Sequence, residues 1–158
     1  MSKLLSIIIH PNPILRKKSK EINEKEISSH EFQELCLDMA KTMQEEKGVG
    51  LAAPQVNKNI RLIVVNAQDG PITMINPKIL KKSWAKEWNE EGCLSIPGVY
   101  GEVKRAKKIN CTFLDKKGKK IKMQANGLMA YIIQHEIDHL DGVLFIDKAR
   151  NIKKVNMI

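Results

Sequence analysis

The stretch NGLMAYIIQHEIDHLDGVLF, residues 126–145, predicts the central element of the fold. Asn126 is a suitable N-cap residue and Gly142 a suitable stop, so we predict a helix from residue 126 to about residue 141. At about 100° per residue, two adjacent stripes of this helix are apolar. The first stripe contains Leu128, Ile132, His135 and His139, and the second contains Met129, Ile133, Ile137 and Leu140. A helix that is apolar over so much of its circumference is buried.

The same helix carries the HExxH pattern of a metal-binding site, because Glu136 lies between His135 and His139. In one large class of metalloproteases the pattern continues as HExxHxxGxxH, and the last histidine is the third ligand. Here Gly142 occupies the glycine position, but Phe145 occupies the last one and cannot bind a metal. No histidine, cysteine or glutamate follows His139. A catalytic site, which needs three protein ligands and one open position, must therefore take its third ligand from upstream.

Cys93 is the best upstream candidate for the third ligand. It lies between glycines in EEGCLSIPG, where a loop can bring a side chain close to another element. Cys36 fits the apolar face of a helix and Cys111 the inward face of a strand, both ordinary core positions. His10 lies in HPNP, and His30 lies in the first turn of the first helix. One thiolate and two imidazoles would leave a fourth position for water.

The other patterns predict an α+β fold, with short, mainly antiparallel sheets packed around the buried C-terminal helix. SSHEFQELCLDMAKTMQEEKG predicts an N-terminal amphipathic helix, in which Ser28 and Glu31 have the spacing of a capping box. RLIVVN and PITMINP predict short strands, and residues 109–125 predict a hairpin with its turn at 116–118. The apolar start, MSKLLSIIIHPNPILRKK, fits a buried first strand better than a signal peptide, because no small-residue cleavage site follows it.

Length and composition predict a single catalytic domain, residues 1–158, that buries a core without disulfides. Three cysteines, an odd number, favour a reducing compartment. No apolar run approaches the roughly 20 residues that span a bilayer, so we expect no membrane association. The formal net charge is +9, with the excess in KRAKK (104–108), DKKGKKIK (115–122) and KARNIKK (148–154). These runs indicate solvated strand faces and a hairpin tip, and the alternative is attraction to polyanions, above all nucleic acid.

Three motifs resemble those of the peptide deformylase family and occur in the same order. They are GVGLAAPQ (48–55), EGCLS (91–95) and QHEIDHL (134–140). HPNPILRKKSKEI near the start is also similar, so the resemblance covers nearly the whole chain. It implies a metal-dependent hydrolase that removes the N-formyl group from the N-terminal formylmethionine of newly synthesised polypeptides and releases formate. It also implies that the metal is held by Cys93, His135 and His139.

The resemblance further implies roles for the residues around the metal. Glu136 is expected to be the general base, since it follows a ligand by one residue and can reach the activated water. The Gln55 side chain and the Leu94 backbone N–H are expected to stabilise the negative oxygen that forms on attack. Gly50 is expected to let the substrate backbone approach and pair with this segment. The positions that match the family's methionine pocket are Val49, Leu128, Tyr131 and Ile132.

The resemblance points to one divalent metal ion, Fe²⁺ in the cell, with Zn²⁺, Ni²⁺ or Co²⁺ as substitutes. The expected partners are formylmethionyl peptides and nascent chains, and the positive charge gives weak attraction to ribosomal RNA a physical basis. Many bacterial members continue with a basic helix, whereas this chain ends at NIKKVNMI, so docking through such a tail is not expected. We expect a monomer in a bacterial cytoplasm, or in an organelle if a targeting segment is missing here.

Two other classes of protein compete with this interpretation. A zincin-like metallopeptidase is disfavoured by Phe145 and by the lack of ligands downstream of His139. A nucleic-acid-binding protein with a structural zinc site of one cysteine and two histidines would need a fourth ligand. That alternative also gives no reason for Glu136 or Gln55.

Overall fold

The computed structural model describes residues 2–156, which form two α-helices, eight strands and four short 3-10 helices. The α-helices are α1 (His30–Glu45) and α2 (Leu128–Leu140). The strands are β1 (Gly50–Ala52), β2 (Leu62–Ala67), β3 (Gly70–Lys82), β4 (Lys86–Cys93), β5 (Ile96–Ala106), β6 (Lys108–Leu114), β7 (Lys120–Asn126) and β8 (Arg150–Lys154). The 3-10 helices are Pro13–Arg16, Glu24–Glu26, Ala53–Val56 and Phe145–Asp147. No helix in this part of the chain has both the length and the apolarity to cross a membrane.

The strands form two antiparallel sheets, which confirms the predicted α+β class. The larger sheet has the order β1-β2-β3-β6-β7, and the smaller one has the order β4-β5-β8. The predicted strands RLIVVN and PITMINP correspond to β2 and to part of β3. The predicted hairpin is β6 and β7, with its turn at 116–118 and with Ile109, Cys111 and Phe113 buried on one face.

Helix α2 packs against the larger sheet, and most of its residues are buried. Its start differs from the prediction. Asn126 is not the N-cap, because it belongs to β7 and pairs with Lys108. The N-cap is Gly127, at φ +58°, which lets the chain turn directly from strand to helix. The first stripe is also less buried than predicted, because Leu128 in the first turn is 69% exposed.

Helix α1 is amphipathic as predicted, with Phe32, Cys36 and Met39 on its buried face. Its predicted capping box is wrong by one residue. The N-cap is Ser29, whose Oγ accepts the Phe32 N–H at 3.2 Å. Ser28 lies in the turn that follows the 3-10 helix Glu24–Glu26, and this preceding turn moves the helix start forward.

The N-terminal segment is not the buried strand that its apolar residues predict. Residues 2–9 have no regular secondary structure, and Leu4 is 55% exposed. The N–H groups of Lys3 and Leu5 donate to the α1 side chains of Asp38 and Thr42, so this backbone is bonded to a helix rather than to a sheet. Further along, the Ile8 N–H donates to the Gln55 carbonyl at 2.7 Å.

Candidate metal centre and active site

Helix α2 and strand β4 bring three potential metal ligands together. Buried His135 and His139 lie one turn apart on α2, and Cys93 ends β4 at the tight turn into β5. One potential ligand atom from each residue lies within 4.8 Å of the other two. Phe145 stacks on the His135 ring with the ring centroids 6.2 Å apart. The residue at the third-ligand position of the protease pattern is therefore part of the packing around the site.

The spacing of these atoms fits a divalent metal. The Cys93 sulfur lies 3.3 Å from Nε2 of His139. Tetrahedral metal–sulfur and metal–nitrogen bonds of ordinary length place two such ligands roughly 3.5 Å apart. Burial holds the pKa of His139 well below its usual value, so its imidazole is neutral and keeps a lone pair. Two imidazoles and a thiolate are a ligand set that suits zinc and iron.

Glu136 points its carboxylate into the same site. Its Oε1 is 3.7 Å from Nε2 of His135, and its buried Oε2 has no hydrogen-bond partner within residues 2–156. A buried carboxylate oxygen without a protein partner fits a water molecule beside the metal. Burial raises the pKa of Glu136 to about 7. A Cβ on residue 50 would lie 2.9 Å from Cγ of Glu136. Strand β1 can therefore lie this close to the Glu136 side chain only because residue 50 is glycine.

A buried ion pair that the sequence patterns do not predict orients His135. Nδ1 of His135 donates to Oε1 of Glu91 at 2.8 Å, and this tautomer leaves Nε2 free to bind a metal. The Arg105 guanidinium donates to both oxygens of Glu91, at 2.8 and 2.9 Å, and also to Asp138. Arg105 lies within the basic run KRAKK. The sequence of this run does not show which of its basic residues is buried. The one available sequence signal was strand alternation, since Val103 and Arg105 both face inward.

The electrostatics of this network favour a cation at the site. Burial raises the pKa of Glu91, but hydrogen bonds from Arg105 and His135 outweigh it and lower the pKa to about 2. Burial lowers the pKa of His135, but hydrogen bonds with Cys93 and Glu91 outweigh it and raise the pKa to about 10. Surroundings that hold a proton on His135 also favour a metal ion at Nε2.

Gln55 has its side-chain amide fixed by three hydrogen bonds. It lies in the 3-10 helix Ala53–Val56, and its Oε1 accepts the Ala52 N–H at 2.9 Å. Its Nε2 donates to Ser95 Oγ at 3.1 Å and to the Cys93 sulfur at 3.4 Å. The amide NH₂ therefore faces the ligand cluster. Leu94 follows Cys93 in the turn between β4 and β5, so its backbone is tied to the same cluster.

A cavity of about 1060 Å³ opens beside the ligand cluster. It is lined by every predicted site residue except His139, namely Val49, Gly50, Gln55, Cys93, Leu94, Leu128, Tyr131, Ile132, His135 and Glu136. Tyr131 and Ile132 are buried in its wall, whereas Val49 and Leu128 are exposed at its mouth. The N-terminal segment contributes Leu5 and Ile7, which the sequence patterns did not connect with the site.

The fold and the site together define a metal-dependent hydrolase. The sequence model of the family described as polypeptide deformylase matches residues 4–155. The chain is 46% identical over 157 residues to a peptide deformylase of Symbiobacterium thermophilum, covering 97% of this chain and 70% of that protein. The chain belongs to the polypeptide deformylase family.

Solved structures of peptide deformylases have the same fold. The crystal structure from Thermotoga maritima matches with a TM-score of 0.90 at 36% identity, covering 94% of this chain and 99% of that one. The Met-Ala-Ser-bound class I type b enzyme from Acinetobacter baumannii matches with a TM-score of 0.90 at 35% identity, covering 94% of this chain and 99% of that one. The predicted family, hydrolase class and deformylase function are confirmed, and neither alternative class is favoured.

Proposed function

We propose that this chain, as one catalytic domain over residues 1–158, removes the formyl group from formylmethionyl peptides and nascent chains and releases formate. The observation that carries this proposal is a buried oxygen of Glu136, without a hydrogen-bond partner among residues 2–156, beside the cluster of Cys93, His135 and His139. A structural metal site gives no reason for a buried carboxylate at this position.

We infer that Cys93, His135 and His139 hold one divalent metal. When bound there, such a metal would supply Lewis-acid chemistry, lowering the pKa of a water molecule and polarising the formyl carbonyl. Glu136 accepts a proton from the attacking water and passes it to the leaving amine, a role suited to a carboxylate whose pKa burial raises to about 7. The Gln55 Nε2 and the Leu94 N–H donate to the carbonyl oxygen as it becomes negative.

The substrate backbone is proposed to lie along β1. This strand is at the edge of the larger sheet, so one side of it is open to pairing with an extended peptide. Gly50 is proposed to let that peptide approach, and its missing Cβ also makes room for the side chain of Glu136. The methionine side chain enters the apolar part of the cavity, whose proposed wall is formed by Val49, Leu128, Tyr131 and Ile132. The A. baumannii relative has Met-Ala-Ser bound, a peptide of the type this arrangement would accept.

The test is release of formate from formyl-Met-Ala-Ser, compared with acetyl-Met-Ala-Ser and formyl-Ala-Ala-Ser. We expect formate from the first peptide, no acetate from the second, and a lower kcat/KM for the third. Each buried methylene contributes about 0.8 kcal/mol, so formyl-Met should exceed formyl-Ala by roughly tenfold or more. Cleavage between Met and Ala would instead indicate a metallopeptidase, and equal kcat/KM for the two formyl peptides would contradict the pocket.

We propose Fe²⁺ as the metal in the cell, with Zn²⁺, Ni²⁺ and Co²⁺ as substitutes. The Cys93 thiolate donates charge and leaves Zn²⁺ a weaker Lewis acid, whereas Fe²⁺ accepts a fifth ligand more readily. Apo-protein loaded anaerobically with each metal should be more active with Fe²⁺ than with Zn²⁺. The iron form should lose activity in air as the metal and Cys93 oxidise, unlike the Ni²⁺ and Co²⁺ forms. A zinc form at least as active as the iron form would contradict this role of the thiolate.

We propose that the protein acts as a monomer in a bacterial cytoplasm and is weakly attracted to ribosomal RNA through its basic surface. The net charge of +9 supports that attraction, and so does the exposure of most lysines in the basic runs, including those of the β6–β7 hairpin tip.

A further inference from the structure

Trp84, between β3 and β4, is fully exposed. Backbone hydrogen bonds to the segment at the junction of β5 and β6 hold this turn in place. The Ser83 N–H donates to the Lys108 carbonyl at 2.9 Å, and the Lys107 N–H donates to the Ala85 carbonyl at 3.0 Å. An anchored turn therefore presents the indole to solvent. A large aromatic side chain that is fully exposed is available to a partner.

Five exposed lysines lie on the segments that hold this turn. They are Lys81, Lys82, Lys86, Lys107 and Lys108, which together with Trp84 are called the Trp84 patch. None of these lysines forms an ion pair within residues 2–156. The nearby Glu87 accepts a hydrogen bond from the Tyr131 hydroxyl and remains a negative charge close to Lys107. Five lysines beside this one carboxylate leave the patch with net positive charge around a flat aromatic side chain, which is complementary to a polyanion that can stack.

A depression of about 180 Å³ forms part of this surface. It is lined by Lys81, Lys108, Ser83 and Ile109, and by the amides of Asn110 and Gln124. Asn110 and Gln124 are cross-strand partners on β6 and β7, and both are exposed. Amide side chains both donate and accept hydrogen bonds, as nucleic-acid bases require.

We propose that the Trp84 patch binds single-stranded RNA. An unpaired base stacks on the indole of Trp84, the lysines contact phosphates, and Asn110 or Gln124 meets a base edge. This inference rests on the proposed attraction of the basic surface to RNA and gives that attraction a defined location. It uses no residue of the metal centre, so it and the deformylase proposal fail separately.

The test is fluorescence anisotropy of a labelled, unstructured RNA of about twelve nucleotides, a length within the range of known single-strand sites. Trp84→Ala should weaken binding about tenfold, whereas Trp84→Phe should retain most of it, because a phenyl ring also stacks. Lys81→Ala/Lys82→Ala/Lys108→Ala should weaken binding more than Lys116→Ala/Lys117→Ala/Lys119→Ala, which removes the same charge from the hairpin tip. All variants should release formate from formyl-Met-Ala-Ser at the wild-type rate, which checks their folding.

Three results would overturn the proposal. The first is the absence of RNA binding at low salt by the metal-loaded protein. The second is equal weakening by the two triple variants with no effect of Trp84→Ala, which would mean that binding depends on net charge alone. The third is Trp84-dependent binding to phosphatidylglycerol vesicles without Trp84-dependent binding to RNA, which would identify a lipid surface as the partner.

Discussion

Glu91 connects the proposed metal ligands to the rest of the protein. Its carboxylate accepts hydrogen bonds from His135 and Arg105, and Arg105 in turn holds Asp138 one residue before His139. Helix spacing, elimination of the other candidates and the family resemblance together selected Cys93, His135 and His139, which the structure brings together. The Arg105 ion pair joins two strands and a helix, and a basic run in the sequence does not reveal which of its members turns inward.

Glu91→Gln should weaken metal binding by about 10- to 100-fold, as expected when the partner of a metal-binding histidine is lost. The neutral amide no longer holds Nδ1 of His135 in the donating form or balances Arg105. The metal Kd, measured by competition with a chelator, reports this directly, with the thermal midpoint measured alongside. Glu90→Gln is the matched control, because Glu90 is exposed and its nearest cation is Lys153 at 3.6 Å. An unchanged Kd for Glu91→Gln would show that the network does not position His135.

At the scale of elements, helices α1 and α2 were predicted because their apolar residues recur with the helical period over three or more turns. The first residues of these helices were not predicted correctly, because the start of each helix depends on the preceding segment. A 3-10 helix precedes α1 and strand β7 runs directly into α2. The sheet of β4, β5 and β8 was also not predicted. Strand β4, KEWNEEGC, is polar, has no buried residue and pairs with β5 at the edge of that sheet, so it left no alternating pattern to detect.

Ser29→Ala should destabilise the protein by about 1 kcal/mol, the usual cost of losing an N-cap side chain. Ser29 Oγ accepts the Phe32 N–H, so the loss of this hydroxyl would leave that donor without a protein partner. Ser28→Ala is the matched control and should have little effect, since Ser28 is exposed and precedes the cap. Urea unfolding of both variants gives the comparison. A larger loss for Ser28→Ala would restore the capping box that the sequence predicted.

At the scale of the whole molecule, the fold class followed from the helices, the hairpin and the family motifs together. Contacts between distant parts of the chain were not available from the sequence. One of them joins the two ends: Arg16 donates to Asp147, 131 positions away, and Asp147 also accepts the Leu144 N–H. This contact lies beside a buried apolar cluster that includes Leu15, Val103, Leu144 and Phe145. Such contacts depend on how separate elements pack, and no local pattern encodes them.

The contribution of Asp147 to stability should disappear in acid. The hydrogen bond from Arg16 lowers the pKa of Asp147 below its usual 3.8. A lowered folded-state pKa means that the stabilisation is complete above pH 3.8 and is lost as the pH falls through the folded value. The difference in unfolding free energy between wild type and Asp147→Asn should therefore be larger at neutral pH than near pH 3. Asp69→Asn, at an exposed turn, is the control and should show no such pH dependence. A difference that persists unchanged in acid would exclude the charge of Asp147 as its origin.

The separation of metal binding from catalysis in Glu136→Gln tests the proposed site most directly. Two quantities are measured on the same preparation: metal per chain after loading, and kcat/KM for formyl-Met-Ala-Ser. Because Glu136 is proposed as the base and not as a ligand, the variant should bind metal at the wild-type ratio while kcat/KM falls by at least about 100-fold. Cys93→Ala provides the opposite control and should lose metal and activity together. A Glu136→Gln protein that keeps more than a tenth of wild-type activity, or that loses its metal, would contradict the assignment of base and ligands.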